Sequence, residues 1–416
     1  MTQSGAKLEK PFRVLHTADW HLGKTLSDRN RLEEHRLFLD WLLQQVKKKS
    51  VDLILLAGDV FDSANPPQSA QWMYFNFISR LYRQGGCRLA IISGNHDSAQ
   101  QLESPANVLS ALDVSIVGFL PEDPKDRILY IPDRDSPKLA IAMIPFLRDR
   151  DLRIGNSGEN IDKIKQNLAA GIRNSYHETS EVFISQGIDC PLLATGHLTV
   201  LGSKTSESER LIHIGGLGDV GTDVFSDFFS YIALGHIHKP QMAGAHEWIR
   251  YSGSPIQLSF SEAGDIKEVR ILDFDSKGLI ENQPLVIPRF RELKQIKCSY
   301  SEIESTLLDL KLNNLQLRPW VELMVQDGSL ETDIQEQVSK LQEKLDFDVI
   351  KVVRATTYKT LSSAFGGEIE NYSKLEEVLS DPKSVFDQLL SQTDELDSDS
   401  KESLQIAFSS LTEEIE

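Results

Sequence analysis

Asp19 and His21 stand two residues apart, Gly58 precedes Asp59, and Gly94 precedes Asn95-His96-Asp97. Gly196 precedes His197, and Gly235 precedes His236 with His238 two further on. All of these offer oxygen or nitrogen donors to a divalent cation. Residues two apart on an extended chain point the same way, so Asp19 with His21, and His236 with His238, can each reach one ion together. A single Asp-x-His pair on its own reads more readily as an ordinary polar turn. The set gains weight because every member falls just past an apolar run, which unrelated core histidines would not keep doing.

The donors exceed what one tetrahedral ion can use and suit two ions with open positions. Imidazole with carboxylate fits manganese, iron or zinc better than magnesium, which prefers oxygen. Two divalent ions bring four positive charges and Asp19 and Asp59 remove two, so the site stays positive. A positive two-metal site favours phosphate and can clamp the attacking and leaving oxygens of an in-line displacement. Phosphoester hydrolysis follows from that charge count better than peptide hydrolysis.

The elements that must position these residues are strands. Leu53-Ile54-Leu55-Leu56-Ala57 and Leu89-Ala90-Ile91-Ile92-Ser93 lack alternation, as strands buried on both faces of a parallel sheet do. Ligands of open α/β sheets sit beyond the carboxyl ends of strands. Phe12 to Thr17, Leu139 to Ile144, Pro191 to His197 and Phe229 to Leu234 read as further strands. Amphipathic spacing predicts helices over Leu32–Lys48, Gln68–Arg83, Ser98–Leu112 with a break near Pro105, and Ile161–Glu178. The second carries Trp72, Met73, Tyr74, Phe75 and Phe77, enough aromatic surface for core with some left for a partner subunit. The fold class is α/β.

The composition, 40% hydrophobic and 25% charged over 416 residues, is ordinary for a globular chain of two or three domains. No apolar run approaches the ~20 residues that span a bilayer, so no membrane partner is expected. Met1 to Lys10 is polar and shows no secretory signal. Cys87, Cys190 and Cys298 are scattered, as free thiols of a reducing cytoplasm would be. A net charge of -18 argues against broad electrostatic binding of nucleic acid, although bound metal supplies positive charge that a residue count misses.

The first domain is read over residues 11–288. After Pro288-Arg289-Phe290 the pattern becomes strand, helix, strand, helix, strand, a small α/β domain over 289–360. Residues 361–416 read as a joint at Gly366-Gly367 followed by two helices. Val385, Phe386, Leu389 and Leu390, then Leu404, Ala407, Phe408 and Leu411, form apolar stripes in acidic surroundings.

Asp-x-His, Gly-Asp, Gly-Asn-His-Asp, Gly-His and Gly-His-x-His in this order resemble the calcineurin-like metallophosphoesterase superfamily. Thr17 to Gly23, Gly58 to Asp62, Ala233 to Gln241 and Tyr251 to Pro255 narrow the resemblance to its DNA-processing nucleases, over nearly the whole chain. The resemblance implies a β-sandwich flanked by helices, a capping domain that positions DNA, and a helical tail that docks on an SMC-type ATPase subunit. It implies that Asp59 bridges two metal ions, most often manganese. Asp19, His21 and His238 would complete one site; Asn95, His197 and His236 would complete the other. His96 would face the scissile phosphate as an acid, oriented by Asp62, and Asp97 would brace its loop. It further implies a homodimer through the helices after Asp62 and Asp97, hence a heterotetramer with the ATPase. The activity would be double-strand exonuclease and single-strand endonuclease, in DNA end and hairpin processing. This chain has no Gly-x-x-x-x-Gly-Lys-Ser/Thr loop, so ATP belongs to the partner. Two other readings remain: a phosphodiesterase or phosphatase acting alone on small or protein substrates, and a binding module that has lost catalysis. The extra domain and tail count against the first, and the complete donor set against the second.

Overall fold

The computed structural model describes residues 10–148, 152, 161–206, 208, 209, 219–313, 315–326 and 331–354. The joint and helices expected after residue 360 lie outside the described residues. The chain forms two compact units, one up to Glu292 with Leu315–Leu317 and one of Leu293–Asn314 with the chain from Arg318 on.

The first unit carries two six-stranded sheets. Its strands in chain order are β1 (Phe12–Thr17), a short hairpin of β2 (Thr25–Leu26) and β3 (Arg29–Asn30), β4 (Leu53–Ala57), β5 (Arg88–Ile92), β6 (Val114–Val117), β7 (Ile128–Ile131), β8 (Leu139–Ala142), β9 (Leu192–His197), β10 (Tyr231–Gly235), β11 (Gln241–Ala243), β12 (His246–Tyr251), β13 (Glu268–Asp275) and β14 (Gly278–Val286). One sheet runs β14-β13-β1-β4-β5-β6 and the other β11-β12-β10-β9-β8-β7. The centres of both are parallel: β1, β4, β5 and β6 in the first, β8, β9, β10 and β12 in the second. Antiparallel strands close the first sheet at its β13-β14 edge and the second at both edges, through β7 and β11.

The pleat sorts the side chains into layers. Val14, Leu53, Leu55, Ala57, Ala90 and Ile92 of the first sheet meet Leu139, Ile141, Leu193, Tyr231 and Ala233 of the second in one buried cluster, so the sheets stack face to face. The alternate residues of the first sheet, such as Leu15, Ile54, Leu56 and Ile91, pack under helices Leu32–Lys49 and Gln68–Gln84. Those of the second, such as Ala140, Ala142, Ala194 and Ile232, pack under helix Ile161–Ser185. The result is a β-sandwich flanked by helices. The expected break at Pro105 separates helices Ala99–Glu103 and Ala106–Leu109.

The second unit has a three-stranded sheet of β15 (Arg291–Cys298), β16 (Leu317–Val325) and β17 (Asp348–Arg354). Helices Ile303–Asp309 and Glu331–Gln342 join them in the expected order. Ile303, Leu307, Val321, Leu323, Ile334 and Val338 make its core.

Candidate metal centre

Each donor follows the carboxyl end of a central strand, so stacking the two sheets brings both sets of strand ends to one edge. Asp19 and His21 follow β1, Asp59 follows β4, and Asn95 and His96 follow β5, all in the first sheet. His197 ends β9, and His236 and His238 follow β10, in the second. The loops extend the ladders: Asp19 N donates to Gly58 O at 3.1 Å and His21 N to Asp59 O at 3.0 Å. Two glycines permit the approach. Gly58 has φ +88°, and a Cβ there would strike His197 Nδ1; a Cβ on Gly235 would strike Ala57 O, where β10 passes closest to β4. Asp19, His21, Asp59 and His236 themselves have φ of 52°, 46°, 48° and 95°, the left-handed region that side chains other than glycine enter at a cost.

All seven expected ligands converge. Asp19, His21, Asp59, His197, His236 and His238 are buried, and Asn95 is half-buried. Asp19 and Asp59 are held alike: Oδ1 of Asp19 accepts from His236 N at 2.8 Å, and Oδ1 of Asp59 from His96 N at 2.9 Å. The second oxygens face the centre. Asp59 Oδ2 lies 3.5 Å from His21 Nε2 and 3.3 Å from His197 Nε2, so one atom looks toward both groups of donors. Asp19 Oδ2 is buried with no hydrogen-bond partner. Ligand atoms of Asp19, His21 and His238 lie within 4.8 Å of one another, as do those of Asp19, Asp59 and His197, and those of His21, Asp59 and His96.

The donor chemistry fits cations. His197 Nδ1 is 3.0 Å from Ala57 O, which can only accept, so Nδ1 carries hydrogen and Nε2 turns inward. There it meets Asn95 Oδ1 at 2.9 Å, and Asn95 Oδ1 is also 3.3 Å from His236 Nδ1. His21 Nε2 and His238 Nε2 are 3.1 Å apart. Lone pairs packed this closely demand positive charge, from protons or from metal. The electrostatics of the cluster point the same way. Burial pulls His197 down, but Asp59 and then Asp19 outweigh it and hold its ring up at about 9. Burial pushes Asp19 up to about 7 against the pull of His197 and His238. A buried, half-satisfied carboxylate among inward imidazole nitrogens is what divalent ions replace protons in.

His96 stands beside the donors, its ring centroid 4.7 Å from that of His21. Its Nδ1 is 2.8 Å from the main-chain carbonyl of Asp62, so Nδ1 donates and Nε2 is the free atom. The Asp62 carboxylate points elsewhere, 3.3 Å from His21 Nδ1 and 3.1 Å from Lys24 Nζ. Asp97 braces the loops, accepting from the backbone N–H groups of Val60, Phe61 and Gly94. Sequence reasoning did not reach Ser208, Glu209, Glu262 and Lys267, which surround His238 from behind. No periodicity or motif marks their segments.

A sandwich that gathers carboxylate, amide and imidazole from two sets of parallel strand ends is a metallophosphoesterase by architecture. The family described as calcineurin-like phosphoesterase matches residues 12–240, and one described as Type 5 capsule protein repressor C-terminal domain matches residues 289–394. The SbcD subunit of the nuclease SbcCD from Escherichia coli K12 is 35% identical over 347 residues, 83% of this chain and 85% of that one. Its counterpart in Rhodobacter capsulatus is 38% identical over 290 residues, covering 67% and 70%. That of Bacillus subtilis 168 is 34% identical over 264, covering 63% and 66%. The chain belongs to the calcineurin-like phosphoesterases, and among them to the SbcD family.

Proposed function

We propose that this chain is a metal-dependent DNA nuclease working with an SbcC-type SMC ATPase, acting on DNA ends and hairpins during replication, recombination and repair. The observation that carries it is the convergence of seven donors on one sandwich edge, with Asp59 Oδ2 facing both groups. The relatives, which are subunits of the nuclease SbcCD, point to the substrate and the partner. Asp19, His21 and His238 would hold one ion, Asn95, His197 and His236 the other, with Asp59 shared; manganese suits this mixed set. When bound, two such ions supply positive charge to a phosphodiester and lower the pKa of water.

The chain's own residues do the rest. Asp59 and Asp19 fix their outer oxygens on backbone N–H groups, which leaves the inner oxygens pre-aimed. His96, held through Nδ1 by the Asp62 carbonyl, presents Nε2, and a proton on that atom can pass to the leaving oxygen of the cleaved strand. Burial of the imidazoles keeps bulk water from competing for the donor atoms.

Several finer parts belong to the same proposal. The chain works in the cytoplasm. Residues 11–288 form the nuclease domain, 289–360 cap and position DNA, and 361–416 dock the ATPase. The chain dimerises through helix Gln68–Gln84 and the short helices after Asp97, giving a heterotetramer. Trp72 is 66% and Phe75 42% exposed on that helix, beside a cavity of about 470 Å³ lined by Phe61, Tyr74, Phe75, Leu102 and Pro105. Sedimentation as a monomer at micromolar concentration would remove the dimer.

The test of function is degradation of linear duplex DNA with manganese, with and without the ATPase, and again after chelation. Metal-dependent cutting, raised by the partner, is expected. Turnover of a small phosphodiester with no cutting of DNA under either condition would return the solitary phosphodiesterase.

A further inference from the structure

Behind His238 lies a chain of side chains, half-buried at Ser208 and buried at Glu262 and Lys267, that the strand-end motifs do not contain. Ser208 Oγ is 2.6 Å from His238 Nδ1. The same hydroxyl donates to Glu262 Oε1 in a very short contact. A carboxylate only accepts, so the single Ser208 proton goes to Glu262, and toward His238 the serine oxygen has only lone pairs. His238 Nδ1 must then carry its hydrogen. That leaves the Nε2 lone pair facing the centre, 3.1 Å from Nε2 of His21.

Glu262 is anchored as firmly as the ring it controls. Its side chain is fully buried. Oε2 accepts from Leu258 N at 3.1 Å and from Lys267 Nζ at 2.6 Å. Lys267, 3% exposed, gives its other two hydrogens to the His238 carbonyl and to Ser254 Oγ, each at 2.9 Å. The ammonium is saturated, and it ties the backbone of His238 to the carboxylate that governs its ring. Glu209 Oε1 accepts from His238 N at 2.7 Å, and Ser206 Oγ, 2.8 Å from Ser208 Oγ, has Glu209 Oε2 as acceptor at 2.7 Å. The two inward histidines therefore differ. His197 takes its tautomer from a backbone carbonyl, Ala57 O, whereas His238 takes it from side chains that can be exchanged.

We propose that Ser208 and Glu262 form a relay, clamped by Lys267, that sets the tautomer and ring plane of His238 and so tunes one of the two metal positions independently of the other. This rests on the reading of His238 as a ligand. It is the carboxylate–histidine arrangement of metal sites with a serine inserted. Ser208 and Glu262 are positioning residues, because they act only through the ring.

The full-length chain tests this by manganese titration and by 15N resonances of the His238 ring in metal-free protein, with circular dichroism as the fold control. Ser208→Ala should weaken one of two manganese equivalents by about 10–100-fold and leave the other within about threefold. Ser208→Thr, which keeps the hydroxyl, should restore it. The ring should be Nδ1-protonated in the parent and the Thr variant and mixed in the Ala variant. The paired change Glu262→Gln with Lys267→Met removes both ends of the buried ion pair together and should act in the same direction as Ser208→Ala. Unchanged affinity at both positions, equal weakening of both, or an unchanged tautomer in Ser208→Ala would overturn the relay. A parent chain that binds no manganese would overturn the metal reading itself, and the relay with it, so the two failures are distinguishable.

Discussion

At the residue scale, the centre concentrates cost. Asp19, His21, Asp59 and His236 hold left-handed backbone, at order 1–3 kcal/mol each in general. The surrounding structure sustains them through cross-loop hydrogen bonds such as His21 N to Asp59 O at 3.0 Å. In the proposed assignment both positions depend on Asp59, whose Oδ2 faces His21 and His197. Asp59→Ala should lose both manganese equivalents, and His21→Ala chiefly one. Titration of the two variants checks this, and equal loss in both would contradict a shared carboxylate. His96 is a different case: its Nδ1 is committed to the Asp62 carbonyl and its Nε2 is free. His96→Ala should keep both metals while cleavage falls by about 10²–10⁴-fold, the usual worth of a positioned acid. Metal content and DNA cleavage measured on one preparation decide it, and loss of metal would move His96 among the ligands. The candidate ligands could be read from the chain because each lies within four residues of a strand end. Ser208 and Glu262 could not: they meet His238 across 30 and 24 residues of sequence, and their types are common in any loop.

At the element scale, the strands that carry ligands were legible because their runs are buried on both faces: every residue of β4 and β10 is buried. Strands β6, β7 and β11 were not. They are short and only partly buried, so hydrophobic patterning marks them weakly. Helix Ile161–Ser185 runs past its expected end at Glu178, since no glycine or proline stops it there. Beside His197 on Ala57 O, a histidine away from the centre also ties the two sheets. His16 on β1 is fully buried, with Nδ1 3.1 Å from Tyr231 Oη and Nε2 3.2 Å from Leu234 O, both on β10. Burial pulls its ring down to about 3 from the ordinary 6.5. The folded state keeps it neutral while the unfolded chain protonates it near 6.5. Its contribution is therefore complete above pH 6.5 and is lost as pH falls toward 3. From pH 7.5 to 5 this amounts to about 2 kcal/mol. His16→Gln should lose less stability over that interval by about this much, as read by urea denaturation at the two pH values. Parallel loss in parent and variant would show that His16 does not titrate this way.

At the scale of the molecule, neither sheet owns the site. Asp19, His21, Asp59 and Asn95 come from the first and His197, His236 and His238 from the second, so metal held by these donors would join the halves of the sandwich. A ligand that binds only the assembled state stabilises by RT ln(1 + [L]/Kd), about 2.7 kcal/mol at a hundredfold excess over Kd. Chelation should thus lower the melting temperature of the full chain, and manganese should restore it. A melting temperature indifferent to metal would mean that no metal bridges the two sets of donors. The net charge of -18 repels a polyanion on average, so productive binding of DNA depends on local positive charge of the kind bound metal would supply.

The division of ligands between sheets has a consequence for a chain still being made. Translation delivers the donors of the first sheet by Asn95, while His238 follows 143 residues later (238 − 95). On the proposed ligand assignment, a nascent chain that has folded its early strands holds half of a centre and would not cleave. Activity would begin only when the late strands have crossed over and stacked. The order in which the topology reaches the ribosome exit would by itself keep a nuclease idle during its own synthesis.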